Sequence, residues 1–344
     1  MKQDVSEKIL VEELFKKSVS KRSVDQTKVV NVDKLTGDAS TRRYYRIHSE
    51  SDTFVVCLDE PLKDDKAEPN FVKLQRVLHQ EGVRVPLIFD KDLSVGYLLE
   101  EDLGDQTFIK EIAKIKTAEE EYKFYKEAID LIIAFHKIDT SKYVGETFTE
   151  LAFDTTKLFQ EMEFTKKYFL SKLIAVNVED PAVLKLYAKL LEICETLSNE
   201  KRVLVHRDYH SRNLMFKNGE QVVIDFQDAR MGTPLYDLVS LLEDCYYDLT
   251  TENRNLLKKY YYDTFFKTFD PSKSYDDYMR LYDLMSIQRV YKAIGSFAYI
   301  YADRKDIRYL KYIGFAFEKI RKIMSNHPDL IDAKKVLAGI YYAT

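Results

Sequence analysis

Apolar positions along this chain recur at two different periods, and the period changes near residue 103. Residues 4–19 put Ile9, Leu10, Leu14 and Phe15 at helical spacing and predict an opening helix. From 28 to 58 the repeat shortens. Residues 28–32, 44–48 and 54–58 are rich in β-branched and aromatic side chains and read as strands, the last closed by Glu60-Pro61. Phe71, Leu74 and Leu78 share one face of a helix ending near Gly82, and further strands are expected around 87–90 and 96–100. After Leu103-Gly104 helical spacing takes over, with Tyr122, Tyr125, Ile129, Ile132, Ile133 and His136 in one stripe and a second stripe over 181–198. Only 203–225 returns to strand. There, two short apolar runs flank Lys217-Asn218-Gly219-Glu220, and its Asn-Gly step signals a type I′ hairpin turn. The pattern predicts an α+β chain, with a small mixed lobe over 1–103 and a larger helical lobe over 104–344.

Composition changes this picture little. A chain of 344 residues with 45% apolar content can bury one large core or two moderate ones. Glycine and proline are scarce, 10 and 7, which suits helices joined by few tight turns. The 25 tyrosines and 20 phenylalanines, many in the last third, read as helix core with hydroxyls at its rim. Charge narrows the partners. A net charge of −4 and a pI near 6.0 give nucleic acid or an anionic membrane no electrostatic attraction. The N-terminal stretch has no apolar run long enough for a signal peptide or membrane span. Cys57, Cys194 and Cys245 are far apart and lack metal-ligand spacing, so neither a disulfide framework nor a zinc site is expected. The expectation is a monomer in a reducing cytoplasm.

The chemistry concentrates in residues 206–228. In His206-Arg207-Asp208-Tyr209-His210-Ser211-Arg212-Asn213 a carboxylate stands five positions before a carboxamide, and Asp225 follows twelve positions later. That is the order phosphoryl transfer from ATP requires in kinase-like folds. Asp208 would take or orient the proton of an attacking hydroxyl. Asn213 and Asp225 would hold Mg2+, which wants hard oxygen ligands and accepts one or two from protein. The hairpin explains the spacing, because its tight turn returns the chain to where the first strand began.

Two further segments are candidates for nucleotide binding. Gly37-Asp38-Ala39-Ser40-Thr41-Arg42-Arg43 joins two predicted strands, and its small residues and arginines suit phosphate oxygens; Gly37, Ser40, Arg42 and Arg43 are the candidates. Glu100 and Glu101 lie at the lobe boundary, where the adenine of a bilobal kinase bonds backbone groups. His206 and His210 are four apart, but on a loop with no glutamate between them. His206 is therefore read as structural, and His210 as structural or in contact with substrate.

Together, His206–Asn213, Asp225–Asp228 and Asp237 resemble the aminoglycoside phosphotransferase and choline kinase superfamily. The resemblance extends to Gly37–Ser40 with Arg42-Arg43-Tyr44, Leu99–Asp105, Tyr236-Asp237-Leu238 with Ser240-Leu241-Leu242, and Gln288-Arg289 with Lys292 and Gly295. These are similar to one branch, the kinases that phosphorylate the C1 hydroxyl of N-acetylmuramate and N-acetylglucosamine in peptidoglycan recycling. The resemblance covers about residues 35–315. It implies a bilobal protein-kinase-like fold, with an antiparallel sheet in the N-terminal lobe. It also implies ATP and Mg2+ as cofactors, Asp208 as the catalytic residue, and a sugar contacted by His210, Asp228, Gln288 and Arg289. The lactyl carboxylate of N-acetylmuramate would pair well with an arginine.

Two departures from protein kinases stand out. The strand at 54–59 lacks the lysine that most kinases offer to the ATP phosphates, and Arg42, Arg43 or Arg46 is the candidate substitute. Gln227-Asp228 stands where protein kinases carry a glycine after Asp-Phe, which argues for a rigid site without a flipping activation segment. Two other readings stay open. One is a kinase of another small alcohol, such as an aminoglycoside, choline, homoserine or methylthioribose, with Glu243, Asp244 and Asp248 supplying an acidic cleft for a cation. The other is a catalytically silent protein that binds nucleotide or sugar.

Overall fold

The structure is a computed structural model and describes residues 2–20, 28–35, 42–62 and 68–343. In chain order its strands are β1 Val29–Leu35, β2 Arg43–Ser49, β3 Thr53–Leu58, β4 Ile88–Asp92, β5 Tyr97–Glu101, β6 Val203–Val205, β7 Leu214–Lys217, β8 Glu220–Val223 and β9 Arg230–Gly232. The helices are α1 Lys2–Ser20, α2 Asn70–Gln80, α3 Phe108–Ile112, α4 Ala118–His136, α5 Thr147–Glu150, α6 Thr155–Thr165, α7 Pro181–Ser198, α8 Leu235–Leu242, α9 Thr251–Tyr261, α10 Lys267–Phe269, α11 Tyr275–Arg304, α12 Lys311–Ser325 and α13 Ile331–Ala343. Contacts divide the chain into two units, Met1–Gln106 with Met215–Gln227, and Thr107–Leu214 with Asp228–Thr344. Most of the Asn218-Gly219 hairpin, which the sequence pattern assigns to the helical lobe, thus clusters with the first unit.

The first unit is built on an antiparallel sheet in the order β1-β2-β3-β5-β4. Alternation sends Tyr45, Ile47, Val56, Leu58, Tyr97 and Leu99 to one face, where they form a core with Val11 and Phe15 of α1. The buried stripe of α1 differs from the expected one. Ile9 and Leu10 are exposed, and Val11 and Phe15, four apart, are fully buried. Tyr44 lies opposite Cys57, and Val55 opposite Glu100. In α2 Phe71, Leu74 and Leu78 are buried, as their spacing predicts.

The hairpin turns as its sequence requires, with Asn218 and Gly219 both left-handed at φ 53° and 84°. Within the first unit the Phe216 N–H donates to the Gln106 carbonyl at 2.7 Å, and the Val223 N–H to the Arg84 carbonyl at 2.9 Å. Lys217 Nζ donates to the Asp102 carbonyl at 2.6 Å. Just beyond β8, Phe226 stacks on Phe71 with ring centroids 5.0 Å apart.

The second unit is dominated by helices. Its longest, α11, starts at a reciprocal cap between Ser274 and Asp277 and ends where Lys305 turns left-handed at φ 56°. It packs against α6, α7, α8 and α12. Where it meets α6, Gly295 is a packing requirement: a Cβ there would stand 2.3 Å from Thr165 Oγ1 and 2.8 Å from Thr165 Cα. Short β6 pairs with β9, a strand of three residues that the sequence pattern did not predict. Tyr209, Tyr236, Tyr261, Tyr278, Tyr282 and Tyr291 are all buried, which agrees with the core reading of the aromatics. Cys57, Cys194 and Cys245 are buried and free. No helix among the described residues is long and apolar enough to cross a membrane.

Candidate active site

The loop His206–Asn213 runs from β6 to β7 and is held at its base by one carboxylate. Asp237, buried in the first turn of α8, accepts the His206 N–H at 2.7 Å and the Arg207 N–H at 3.0 Å. The same carboxylate bonds His136 Nε2 at 3.2 Å, and His136 Nδ1 lies 2.8 Å from the Tyr261 hydroxyl. This clamp holds Arg207 in the left-handed region at φ 86°, a conformation that costs a non-glycine residue about 1–3 kcal/mol. His206 is fully buried against Phe135 and Tyr209, and its Nδ1 accepts the Asp208 N–H at 3.3 Å. Asn213 Nδ2 donates to the Asp208 carbonyl at 2.9 Å, which fixes which end of its carboxamide presents oxygen.

Three cations surround the Asp208 carboxylate. Lys292 Nζ is 3.0 Å from Oδ1, Arg289 is 3.4 Å from the same oxygen, and Arg207 Nε is 3.6 Å from Oδ2. Burial alone would raise this carboxyl; Lys292, Arg289 and Arg207 outweigh it and hold Asp208 well below the usual carboxylate range. Arg289 and Lys292 lie three apart and so share one face of α11. Arg289 Nε also donates to Ser240 Oγ at 2.8 Å. Elsewhere in the second unit, Asp283 pairs with His327 and Glu318 with Arg321. Arg207 reaches past Asp208 to bond the half-exposed Asp228 carboxylate as well.

Asp208, Lys292 and Arg289 border a cavity of about 190 Å³ that is also lined by His210, Asp244 and Tyr246. Burial pushes the His210 imidazole down to about 4, against the opposing pull of Asp244 and Asp208, so His210 is neutral at pH 7. The acids around this cavity are committed to other groups. Asp244 accepts the Ser211 hydroxyl and, at 3.0 Å each, the N–H groups of Ser211 and Tyr246. Glu243 accepts from Tyr282 at 2.9 Å and lies 3.4 Å from Lys319 and 3.5 Å from Arg254. Asp248 lies 3.4 Å from Arg254. Gln288 is not among the lining residues: it is fully buried, and its amide donates to Glu161 on α6 at 3.0 Å.

In the first unit, Gly37 and Ser40 lie outside the described residues. Arg42 donates to Asp59 at 2.9 Å and lies over the Phe71 ring at 5.2 Å. Arg43 pairs with Glu7 at 3.2 Å, and Arg46 with Asp102 at 2.8 Å and Asp105 at 3.0 Å. Glu101 accepts a fork of two bonds from Arg84. Glu100 is 6% exposed, and its Oε1 has no hydrogen-bond partner among the described residues. Burial pushes its carboxyl up to about 7 against a smaller opposing effect of Arg42. Asp225 is left-handed at φ 63° and accepts from Gln227 Nε2 at 2.7 Å. The carboxamide oxygen of Asn213 and the carboxylate of Asp225 are each hard oxygen donors of the kind magnesium takes.

The model of the phosphotransferase enzyme family (APH) matches residues 31–273. The chain belongs to that family. This phosphotransferase is 31% identical over 310 residues to the N-acetylmuramate/N-acetylglucosamine kinase of Pseudomonas aeruginosa, covering 89% of this chain and 87% of that one. Among solved structures, it resembles choline kinase LicA from Streptococcus pneumoniae at a TM-score of 0.58 and 13% identity, covering 91% and 99% of the two chains. The gentamicin complex of APH(2")-IIa gives a TM-score of 0.59 at 18% identity, covering 90% and 94%. The kinase-like fold expected from the sequence is borne out, and the protein is an ATP-dependent phosphotransferase acting on a hydroxyl.

Two residues of this phosphotransferase escaped the sequence reading. Lys292 entered only as a neighbour of Arg289, although the spacing of three on a helix was signal enough to put both cations on one face. Asp237 entered a motif without a role. Nothing in its sequence neighbourhood signals that its carboxylate holds a loop thirty residues earlier.

Proposed function

We propose that this phosphotransferase moves the γ-phosphoryl group of ATP to the C1 hydroxyl of N-acetylmuramate, N-acetylglucosamine or both, a step of peptidoglycan recycling. The observation that carries the reading is the Arg289 and Lys292 pair leaning on Asp208, in a cavity whose own acids are already bonded. An aminoglycoside or choline is a cation and would need open carboxylates there. A neutral or anionic sugar does not. The name of the Pseudomonas aeruginosa relative supports the same acceptor. An anomeric hydroxyl is more acidic than an ordinary alcohol, so a carboxylate base held low by three cations is adequate for it.

In this reading Asp208 takes the acceptor proton, and Arg289, His210 and Asp228 contact the sugar. Gln288 backs the site through α11 rather than touching it. Asn213 and Asp225 hold magnesium, which when bound neutralises charge on the nucleotide phosphates. Arg42 and Arg43 contribute to phosphate binding, and the chain at Glu100 and Glu101 binds the adenine. The first unit is the nucleotide-binding lobe, and the enzyme works as a monomer in the cytoplasm.

The test is ATP consumption against a panel of N-acetylmuramate, N-acetylglucosamine, choline and an aminoglycoside. Asp208→Asn should lower turnover of the accepted sugar by about 10²–10⁴-fold. Failure to turn over either amino sugar sinks the reading. Turnover of choline or the aminoglycoside alone establishes the cationic acceptor, and nucleotide binding without any turnover establishes a silent binder.

A further inference from the structure

We propose that Lys292 is a catalytic residue whose ammonium group contacts the phosphoryl group in transit, supplying from α11 the lysine charge that β3 lacks. The inference rests on the proposed sugar-kinase reading. β3 offers no lysine. The arginines near it already have acidic partners, Asp59 for Arg42, Glu7 for Arg43, and Asp102 with Asp105 for Arg46. Lys292 is placed differently. Its ammonium sits 3.0 Å from Asp208 Oδ1, and its side chain is 13% exposed and lines the cavity.

Geometry puts this ammonium beside the reacting atoms. A hydroxyl that gives its proton to Asp208 must stand about 2.6–3.2 Å from one of the carboxylate oxygens. Lys292 is equally close to the same carboxylate and has three N–H donors, of which Asp208 Oδ1 takes one. The others are within reach of the acceptor oxygen and of the phosphoryl oxygens that become attached to it. Arg289 is less suited, because its Nε is bonded to Ser240 and its closest approach to Asp208 is 3.4 Å.

The electrostatics change at the moment of transfer. A lone pair of the acceptor oxygen forms the bond to the γ-phosphorus. The bond from that phosphorus to the bridging oxygen breaks, its electron pair leaves with ADP, and the acceptor proton passes to Asp208. Protonation removes the counter-ion of Lys292 just as negative charge spreads over the equatorial phosphoryl oxygens. The attraction of the ammonium therefore moves from the carboxylate to the phosphoryl group. An interaction that strengthens only in the transition state raises turnover rather than ground-state affinity.

The test uses the full chain carrying Lys292→Met or Lys292→Arg, with ATP, magnesium and the sugar that the wild type turns over. Lys292→Met should lower kcat by about 10²–10³-fold, the usual effect of losing one charge-stabilising donor, with KM for sugar and ATP changed only a few-fold. Lys292→Arg should restore part of the loss. The second measurement compares ADP alone with ADP and aluminium fluoride, a mimic of the phosphoryl in transit. Lys292→Met should weaken the mimic by a similar factor and leave ADP unchanged. A wild-type kcat overturns the proposal. So does a lost kcat with unchanged affinity for the mimic, which would make Lys292 a counter-ion of Asp208 only. Should the Met variant not fold, Lys292→Gln takes its place in both measurements. If the wild type turns over neither amino sugar, the proposed function fails, and the mimic arm, run with magnesium and ADP, still decides the role of Lys292.

Discussion

The buried carboxyl of Glu100 makes the stability of this protein depend on pH in a calculable way. Its ordinary value near 4.5 rises to about 7 because the side chain is buried, and among the described residues Oε1 has no hydrogen-bond partner. A tenfold change in the ionisation equilibrium is about 1.4 kcal/mol, so the full cost of ionising Glu100 in the folded protein is about 3 kcal/mol. The folded pKa is raised above the unfolded one. Below pH 4.5 both states are protonated and the shift costs nothing. Between 4.5 and 7 the folded state keeps a proton that the unfolded state has released, so stability falls as pH rises, and above 7 the whole cost is present. Glu100→Gln removes the titration. Its amide adds a pH-independent offset, since it brings donors of its own, but the stability gap between variant and wild type should widen in favour of the variant by about 2–3 kcal/mol from pH 5 to pH 8. Urea unfolding followed by circular dichroism at several pH values reads this directly. A gap that stays constant over that range would show that Glu100 ionises at its ordinary value, and the reasoning from burial would be refuted.

Two further substitutions test the framework around the site. Asp237→Ala leaves the His206 and Arg207 N–H groups without their carboxylate and should destabilise the protein by about 2–4 kcal/mol, with lost turnover even where folding survives; an unfolding midpoint within error of wild type would mean that the loop holds its shape unaided. Gly295→Ala places a methyl group against the backbone of Thr165 and should cost about 1–3 kcal/mol in urea unfolding, whereas no loss would show that α6 and α11 can separate at little cost.

What the sequence made legible follows from how local each signal is. The Asn218-Gly219 turn was readable because two adjacent residues must both be left-handed, and few residue pairs tolerate that. The catalytic loop was readable because its chemistry needs particular side chains at fixed spacing. The stripe of α1 was misread, since Ile9, Leu10, Val11, Leu14 and Phe15 allow two overlapping faces, and only the sheet beneath selects Val11 and Phe15. Arg230-Met231-Gly232 shows no alternation, and its extended form rests on partners remote in sequence, β6 and residues 151–153. Glu243 and Asp244 looked like an open acidic cleft for a similar reason. Their partners Lys319, Arg254 and Ser211 are remote in sequence or lie on another loop, so the neutralisation of those acids appears only in three dimensions.

The hairpin has a consequence for how this protein can be divided. The chain leaves its first unit after Gln106, returns for Met215–Gln227, and leaves again. A fragment ending at Gln106 would expose the Phe71 ring that Phe226 covers, and would strip hydrogen-bond partners from Arg84, Asp102 and Gln106. Nor can the helical unit be produced as a continuous piece without carrying a stray β-ribbon. Shuffling either unit between relatives at a single crossover therefore yields one unit built from two parents. A chimera that respects the fold needs three junctions, with Phe71 and Phe226 inherited together.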